Sequence, residues 1–295
     1  SKVNPALLPQ QVDTLNWSFY DIPVWQIPKT FPPPDLIPAY LEQPLPAFRM
    51  VPAEGFGHLF INGDSLIPFL EPRRRRAVNR ARGRDMSYYI SALGFAPGAA
   101  GVKDPKKAHE LKAKFAARAL LFWLNKGMSG VLLHSAYDRS ETSWTVLYGR
   151  APTSRYATLP RSETLSPTLA TVRNLTRTFG NSRVIKKPRQ LRFDLRRGTG
   201  DKRLPSGVSL HDALAILPFQ TASNRFVIAV YVMTTDLTET MEEEPIAIAV
   251  SKVRGRGLKV RLYDPLLDKW VRVKIGNKAN GRLQVTLPVV DYPRL

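Results

Sequence analysis

Apolar positions along this chain change their rhythm near residue 180. Before that point short β-like runs alternate with stretches of helical spacing; after it only β-like runs remain. The segment Tyr88 to Phe95 is a short apolar β run closed by a glycine, Gly94. Asp104-Pro105 then opens a helix, with Asp as N-cap and Pro at the first helical position. Its apolar face is Ala108, Leu111, Phe115, Ala119 and Phe122, and it ends at Lys126-Gly127, a cation followed by a helix-stopping glycine. A second β run, Gly130 to Asp138, follows at once, so residues 86–138 predict one strand–helix–strand unit with parallel strands. Ser166-Pro167 opens a further helix through Leu169, Val172, Leu175 and Thr176 to Gly180.

Beyond Gly180, Leu191 to Leu195 alternates, and Ala213 to Phe219 and Arg225 to Met233 read as buried strands. Pro245 to Val250, Leu258 to Tyr263, Trp270 to Ile275 and Leu283 to Val290 follow at short intervals, with Asn280-Gly281 as a hairpin turn. Short strands with turns between them and no helix predict an antiparallel β-sandwich over 181–295. At the other end, prolines at 5, 9, 23, 28, 32, 33, 34, 38, 44, 46 and 52 deny residues 1–56 both helix and regular strand, and Pro32-Pro33-Pro34 favours polyproline II. Interleaved with them are Trp17, Phe19, Tyr20, Trp25, Phe31, Tyr40 and Phe48, whereas a disordered linker is poor in aromatics. The expectation is an ordered, extended arm lying against the chain's own core or across another protein subunit. Residues 57–85 hold the apolar Leu59-Phe60-Ile61, a helical turn after Asp64-Ser65, and a run of arginines.

Charge sharpens this picture. The chain carries 44 Lys+Arg against 24 Asp+Glu, a net +20. Arg73, Arg74, Arg75, Arg76, Arg80, Arg82 and Arg84 follow one another without an intervening acid until Asp85. A second cluster comprises Arg183, Lys186, Lys187, Arg189, Arg192, Arg196, Arg197, Lys202 and Arg203. Such fields attract nucleic acid, acidic polysaccharide or an anionic envelope, and the arginine fork binds phosphate, sulfate or carboxylate with two hydrogen bonds. No zinc finger or RNA-recognition signature accompanies them, so nucleic-acid binding would be backbone-led, as in a packaging or virion structural protein. With no cysteine, disulfides, thiolate metal sites and a Cys nucleophile are excluded. His58, His109, His134 and His211 have no metal-ligand spacing, and Gly98-Ala99-Ala100-Gly101 lacks the residues of a phosphate loop and reads as a flexible loop. Neither a metal nor a cofactor is expected. No apolar run approaches the roughly 20 residues that span a bilayer, and the start at Ser1 leaves room for a removed signal or pro-segment. The expectation is a soluble, secreted or cell-surface protein.

The order of elements in 86–180 resembles the end of the barrel in the large clan of retaining glycoside hydrolases. In that family the penultimate strand ends in a Thr-Glu-x-Gly-type segment whose Glu is the nucleophile. The matching segment here is Ser91-Ala92-Leu93-Gly94, which places Ala92 at the nucleophile position. The family's Asn-Glu pair, which carries the acid/base, occurs nowhere in the chain. Retaining chemistry needs two carboxylates about 5 Å apart, and a methyl group cannot attack an anomeric carbon. Phe226 to Thr234, Tyr263-Asp264-Pro265 and Leu287-Pro288 to Tyr292-Pro293 are similar to the β-sandwich appended to such barrels, where the Tyr-Asp-Pro turn joins two strands and carries no catalysis.

The resemblance implies an α/β plus all-β fold: the arm over 1–56, an incomplete (β/α)-barrel-like region over 57–180, and the sandwich over 181–295. A full barrel takes about 250 residues, more than precede the sandwich, so the barrel is expected to be truncated or the chain to be the C-terminal product of a longer precursor. If a site survives, its floor is the end of the second strand. There His134, Ser135, Tyr137 and Asp138 stand with Arg139 and Glu141 just beyond; Trp144 could stack on a sugar, while Trp123 reads as core. Ser209 and His211-Asp212 match no hydrolytic triad. The function implied is a catalytically degenerate glycosidase-like subunit that binds carbohydrate or polyanion within an assembly. The alternative is an active glycosidase whose missing carboxylates come from a partner chain or precursor half.

Overall fold

The structure is a computed structural model. It describes residues 14–18, 72–136, 140–147, 165–180, 185, 188–195, 204, 210–234, 237–238, 240–253, 258–279 and 281–295. Three parallel strands in the order β1 (Thr14–Ser18), β2 (Ser87–Leu93) and β3 (Gly130–Leu133) form one sheet. The central strand β2 buries Tyr88, Ile90 and Leu93. Tyr89 faces Gly130 across the ladder, and a Cβ at Gly130 would stand 2.7 Å from the Tyr89 ring, so only glycine lets β3 start there.

Helix α1 (Pro72–Arg82) precedes β2, and α2 (Pro105–Asn125) is the crossover from β2 to β3. Asp104 caps α2 by accepting from the amides of Lys106 and Lys107. All five residues of its expected apolar face are buried. Phe115 stacks on Phe95 at 5.5 Å, which seats the helix against the chain leaving β2. Helix α3 (Pro167–Phe179), capped by the Ser166 hydroxyl, packs beside α2 and ends at Gly180 with φ of +57°.

The rest is antiparallel. After β4 (Arg192–Leu195) and the short α4 (Leu210–Ala213) come β5 (Leu214–Ala222), β6 (Arg225–Val232), β7 (Glu244–Ser251), β8 (Leu262–Asp264), β9 (Lys269–Val271), β10 (Lys274–Ala279) and β11 (Arg282–Val289). They form a four-stranded sheet in the order β10-β11-β7-β4 and two hairpins, β5-β6 and β8-β9. Along the β5-β6 hairpin, Ala215, Leu217, Val227, Ala229 and Tyr231 join the core of α2 and β2. Leu214, Ile216, Ile228, Val230 and Val232 join a second core with the four-stranded sheet. The hairpin is therefore a shared middle layer, and the strand period of two sends alternate side chains to different cores.

Buried polar groups hold these layers in register. The Arg118 guanidinium on α2, fully buried, donates to the Thr234 hydroxyl at 3.2 Å and the Thr234 carbonyl at 3.0 Å, and lies over the Tyr231 ring. Asn125 donates to the Pro218 carbonyl on β5, and Lys114 pairs with buried Asp291 at 2.8 Å. Asp264 is fully buried and accepts from Arg294 Nε at 3.0 Å, from the Tyr292 hydroxyl at 2.9 Å, and from the amides of Leu266 and Leu267. Burial and the Asp264 carboxylate beside it raise the pKa of the Tyr292 phenol, so it remains a donor. Leu295 exchanges both backbone hydrogen bonds with Tyr263 while Arg294 bridges to Val230, which fits the last residues between β8 and β6.

Four expectations are corrected. The denial of regular strand to residues 1–56 fails at β1: Pro9 and Pro23 leave a proline-free window between them, and Thr14–Ser18 fills the edge beside β2. That part of the arm thus pairs within its own chain; the remainder of 1–56, like Leu59-Phe60-Ile61 and Asp64-Ser65, lies outside the described residues. The arginine run, which carried no conformational expectation, is a helix begun by Pro72 at a first-turn position. The run Gly130 to Asp138 is a strand only as far as Leu133, and Trp270 to Ile275 splits into β9 and β10. On α3 the buried stripe is Thr168, Thr171, Asn174 and Leu175, rotated from the expected one, with Thr176 exposed. Small polar residues there face the alanine-rich α2, a fit that hydrophobicity alone does not signal.

Replacing Asp264 by Ala should cost about 3 kcal/mol, because Arg294 would keep its burial and lose the buried one of its two carboxylates, retaining only the exposed Glu243. A urea unfolding midpoint that falls with unchanged slope is the expected result; an unchanged midpoint would contradict the role given to Asp264.

Candidate functional site

The C-terminal edge of the parallel sheet, where Leu93-Gly94 and Leu133-His134 emerge, is where barrel enzymes place substrate groups. Residues 140–147 fold back over it. Ser135 donates its amide to the Trp144 carbonyl at 3.1 Å, and Val146 returns one to Ser135 at 2.8 Å. Gly98 donates to the Thr142 carbonyl at 2.7 Å. The Gly98 segment is thus an ordered 3-10 turn over Pro97–Ala100, a correction to its reading as a flexible loop.

Two buried polar residues on α2, one turn apart, hold this covering segment. Lys112 Nζ donates to the carbonyls of Glu141 at 2.6 Å, Thr145 at 2.5 Å and Ser143 at 3.3 Å. His109 Nε2 pairs with the Glu141 carboxylate. Burial pushes the His109 imidazole below its ordinary pKa, and the Glu141 hydrogen bond offsets only part of that shift. Trp144 meets the His134 ring edge-on at 5.7 Å. A Cβ at Gly94 would lie 2.6 Å from both the His134 carbonyl oxygen and Trp144 Cε3, so the indole occupies the space a side chain would need. The cavity left among Gly94, His134, Trp144 and Lys112 is about 10 Å³. That is room for a single water at most.

Of the residues expected at this floor, His134, Glu141 and Trp144 are brought together, but Glu141 is turned to α2. Tyr137, Asp138 and Arg139 lie outside the described residues. Ala92 sits on β2 near its end, and Trp123 is fully buried core. His211 and Asp212 fall in α4, and Ser209 lies outside the described residues. Among the described residues no cluster of His, Asp and Glu could hold a metal, and no helix is long and apolar enough to cross a membrane. Sequence reading missed the part played by His109 and Lys112. The only signal was two polar residues three apart on the shoulder of an apolar stripe.

The basic groups lie elsewhere. On α1, Val78 turns inward while Arg76 and Arg80, four residues apart on one face, are exposed with Arg84 just beyond the helix. Arg73, Arg74 and Arg75 lie on the same helix and Arg82 is half-buried. Asn79 accepts from the Met86 amide and donates to Asp85, fixing the helix to the start of β2. Of the second cluster, Arg189 and Arg192 are described, Arg189 lying over the Phe226 ring at 5.3 Å. A further strip, Lys259, Arg261, Lys269, Arg272 and Lys274, is exposed around Trp270, itself 63% exposed.

These residues define a mixed α/β chain rich in antiparallel sheet, whose three-stranded parallel sheet does not close into a barrel among the described residues. No family model matches the chain, and no curated protein matches it significantly.

Two outcomes follow from the covered edge. Because the folded pKa of His109 is depressed below 6.5, its contribution to stability is complete above that pH and is lost as pH falls through it, when the unfolded chain takes up a proton that the buried ring resists. His109→Gln should therefore show a smaller drop in urea midpoint between about pH 7 and pH 5.5 than the parent; an equal drop would remove His109 from the account. Gly94→Ala should displace Trp144 at a cost of about 1–3 kcal/mol, read as a red-shifted, more quenchable indole emission. Unaltered fluorescence and stability would show the contact to be loose.

Proposed function

We propose that this chain is a catalytically degenerate, glycosidase-like subunit that binds an anionic polymer, an acidic polysaccharide being the best fit, within a larger assembly. The reading rests chiefly on the covered edge. Where a barrel glycosidase would hold its sugar, Trp144 is packed against Gly94, the remaining space is about 10 Å³, and the nearby Glu141 is held by His109. Ala92 at the nucleophile position of the resemblance agrees with this, since displacement at an anomeric carbon needs a carboxylate there.

Binding in place of cleavage draws on the net charge of +20 and on the exposed arginines of α1. They stand on a helix anchored by Val78 and Asn79, so the charges are presented outward by a fixed support. The finer architecture in this proposal is an incomplete (β/α) region followed by a β-sandwich. The face-to-face packing of the β5-β6 hairpin on the four-stranded sheet supports the second part. Other subunits of the assembly would be engaged by the aromatic, proline-rich stretch beyond β1, through residues such as Trp25, Phe31 and Tyr40.

Heparin binding measured against salt tests the proposal. Affinity should fall steeply as salt rises, and Arg76→Gln, Arg80→Gln and Arg84→Gln together should flatten the slope with the unfolding midpoint unchanged. Identical salt curves would reduce the α1 arginines to solvated surface. Cleavage of any of a panel of aryl glycosides, abolished by Glu141→Gln or Asp138→Asn, would sink the non-catalytic reading.

A further inference from the structure

The geometry points to a second site, independent of the α1 arginines: an internal pocket between the β5-β6 hairpin and the four-stranded sheet that takes a single-chain anionic amphiphile, a fatty carboxylate. Its volume is about 420 Å³, within the range of small-molecule sites. The walls are aliphatic and come from both layers, Ile216, Ile228 and Val230 from the hairpin and Ile248, Val285 and Leu287 from the sheet. A void of this size in a hydrocarbon lining is costly to keep empty. Water is a poor filling, because such walls offer it no hydrogen-bond partners.

The lining also carries charge of one sign. Arg189, Arg225, Lys259 and Arg261 border the pocket, and among the described residues no Asp or Glu does. Arg225, Lys259 and Arg261 are exposed, so they stand at the opening while the aliphatic residues lie within. Among the described residues none of these cations forms a salt bridge with a carboxylate. Instead Arg261 lies over the Trp270 ring at 5.6 Å and Arg189 over Phe226 at 5.3 Å, while Arg189 and Arg225 donate to the carbonyls of Ser223 and Thr178, arrangements that hold guanidinium groups in place without neutralising their charge. An apolar interior with a cationic, aromatic-braced opening matches one ligand chemistry: a hydrocarbon tail for the interior and a carboxylate for the opening. A neutral alkane would leave the cations unanswered, and a cationic amphiphile would be repelled by them.

Titration of the intact chain with monomeric dodecanoate, followed by calorimetry and by Trp270 emission, tests the site. Dodecanoate should bind saturably, dodecanol more weakly, and dodecyltrimethylammonium not at all. Lys259→Gln with Arg261→Gln, both at exposed positions, should weaken dodecanoate by about fivefold to tenfold and leave dodecanol unchanged. Val285→Phe, which narrows the interior, should abolish binding of both; if that variant unfolds, the surface pair still decides. Absence of dodecanoate binding, which is also the outcome if another segment of this chain fills the pocket, overturns the proposal. So does equal affinity for the cationic amphiphile, or a surface pair that binds like the parent. Heparin binding should be indifferent to Val285→Phe, so failure here leaves the polymer-binding reading untouched, and the reverse holds for the α1 variants.

Discussion

The β5-β6 hairpin turns its two faces toward two different cores. Ala215, Leu217, Ala229 and Tyr231 pack toward α2, while Ile216, Ile228, Val230 and Val232 pack toward the four-stranded sheet. Burying an aliphatic side chain contributes about 1.5–3 kcal/mol, so one hairpin carrying both sets couples two cores that would otherwise be separate. The position of the parallel sheet relative to the antiparallel layers follows from this. α2 packs on β2 and on the hairpin at once, and nothing can move on one side without disturbing the other.

Such double burial makes polar side chains expensive unless they are paired, and several of them are paired across layers. Arg118 reaches from α2 to the end of β6, Asn125 to β5 and Lys114 to Asp291. Asp264 gathers the β8-β9 turn, Tyr292 and Arg294. His109 and Lys112 do the same for the loop over the parallel sheet. Each is a directional bond in a setting where apolar packing alone would tolerate sliding. The covered edge is one product of this rigidity, since the loop that closes it is held by three carbonyls on a single ammonium group.

The proposed binding therefore falls on the surface and in the space between sheets. Arg76 and Arg80 of α1 are exposed on a helix that turns Val78 inward. The cations around Trp270 are outward because β8 and β9 form a separate two-stranded hairpin with a solvent face. A chain with this excess of basic residues repels itself, and the exposed cations described stand on separate elements, α1 and the strands around Trp270.

Local chemistry was legible where a residue acts on its own neighbours. Asp104-Pro105 and Ser166-Pro167 start helices, Gly127 and Gly180 stop them with positive φ, and Asn280-Gly281 joins β10 to β11, all within a few residues of chain. Strand β1 was hidden because prolines on either side outweighed a short window whose partner, β2, is some seventy residues away. Helix α1 was hidden because charge masked its period. The roles of His109, Lys112, Arg118 and Asp264 were out of reach for the same reason: each is defined by a partner distant in sequence. The chain by itself determined its segments and its charge. Only the tertiary structure decided which polar groups are buried and what covers the sheet edge, because burial belongs to pairs of surfaces and no single segment carries it.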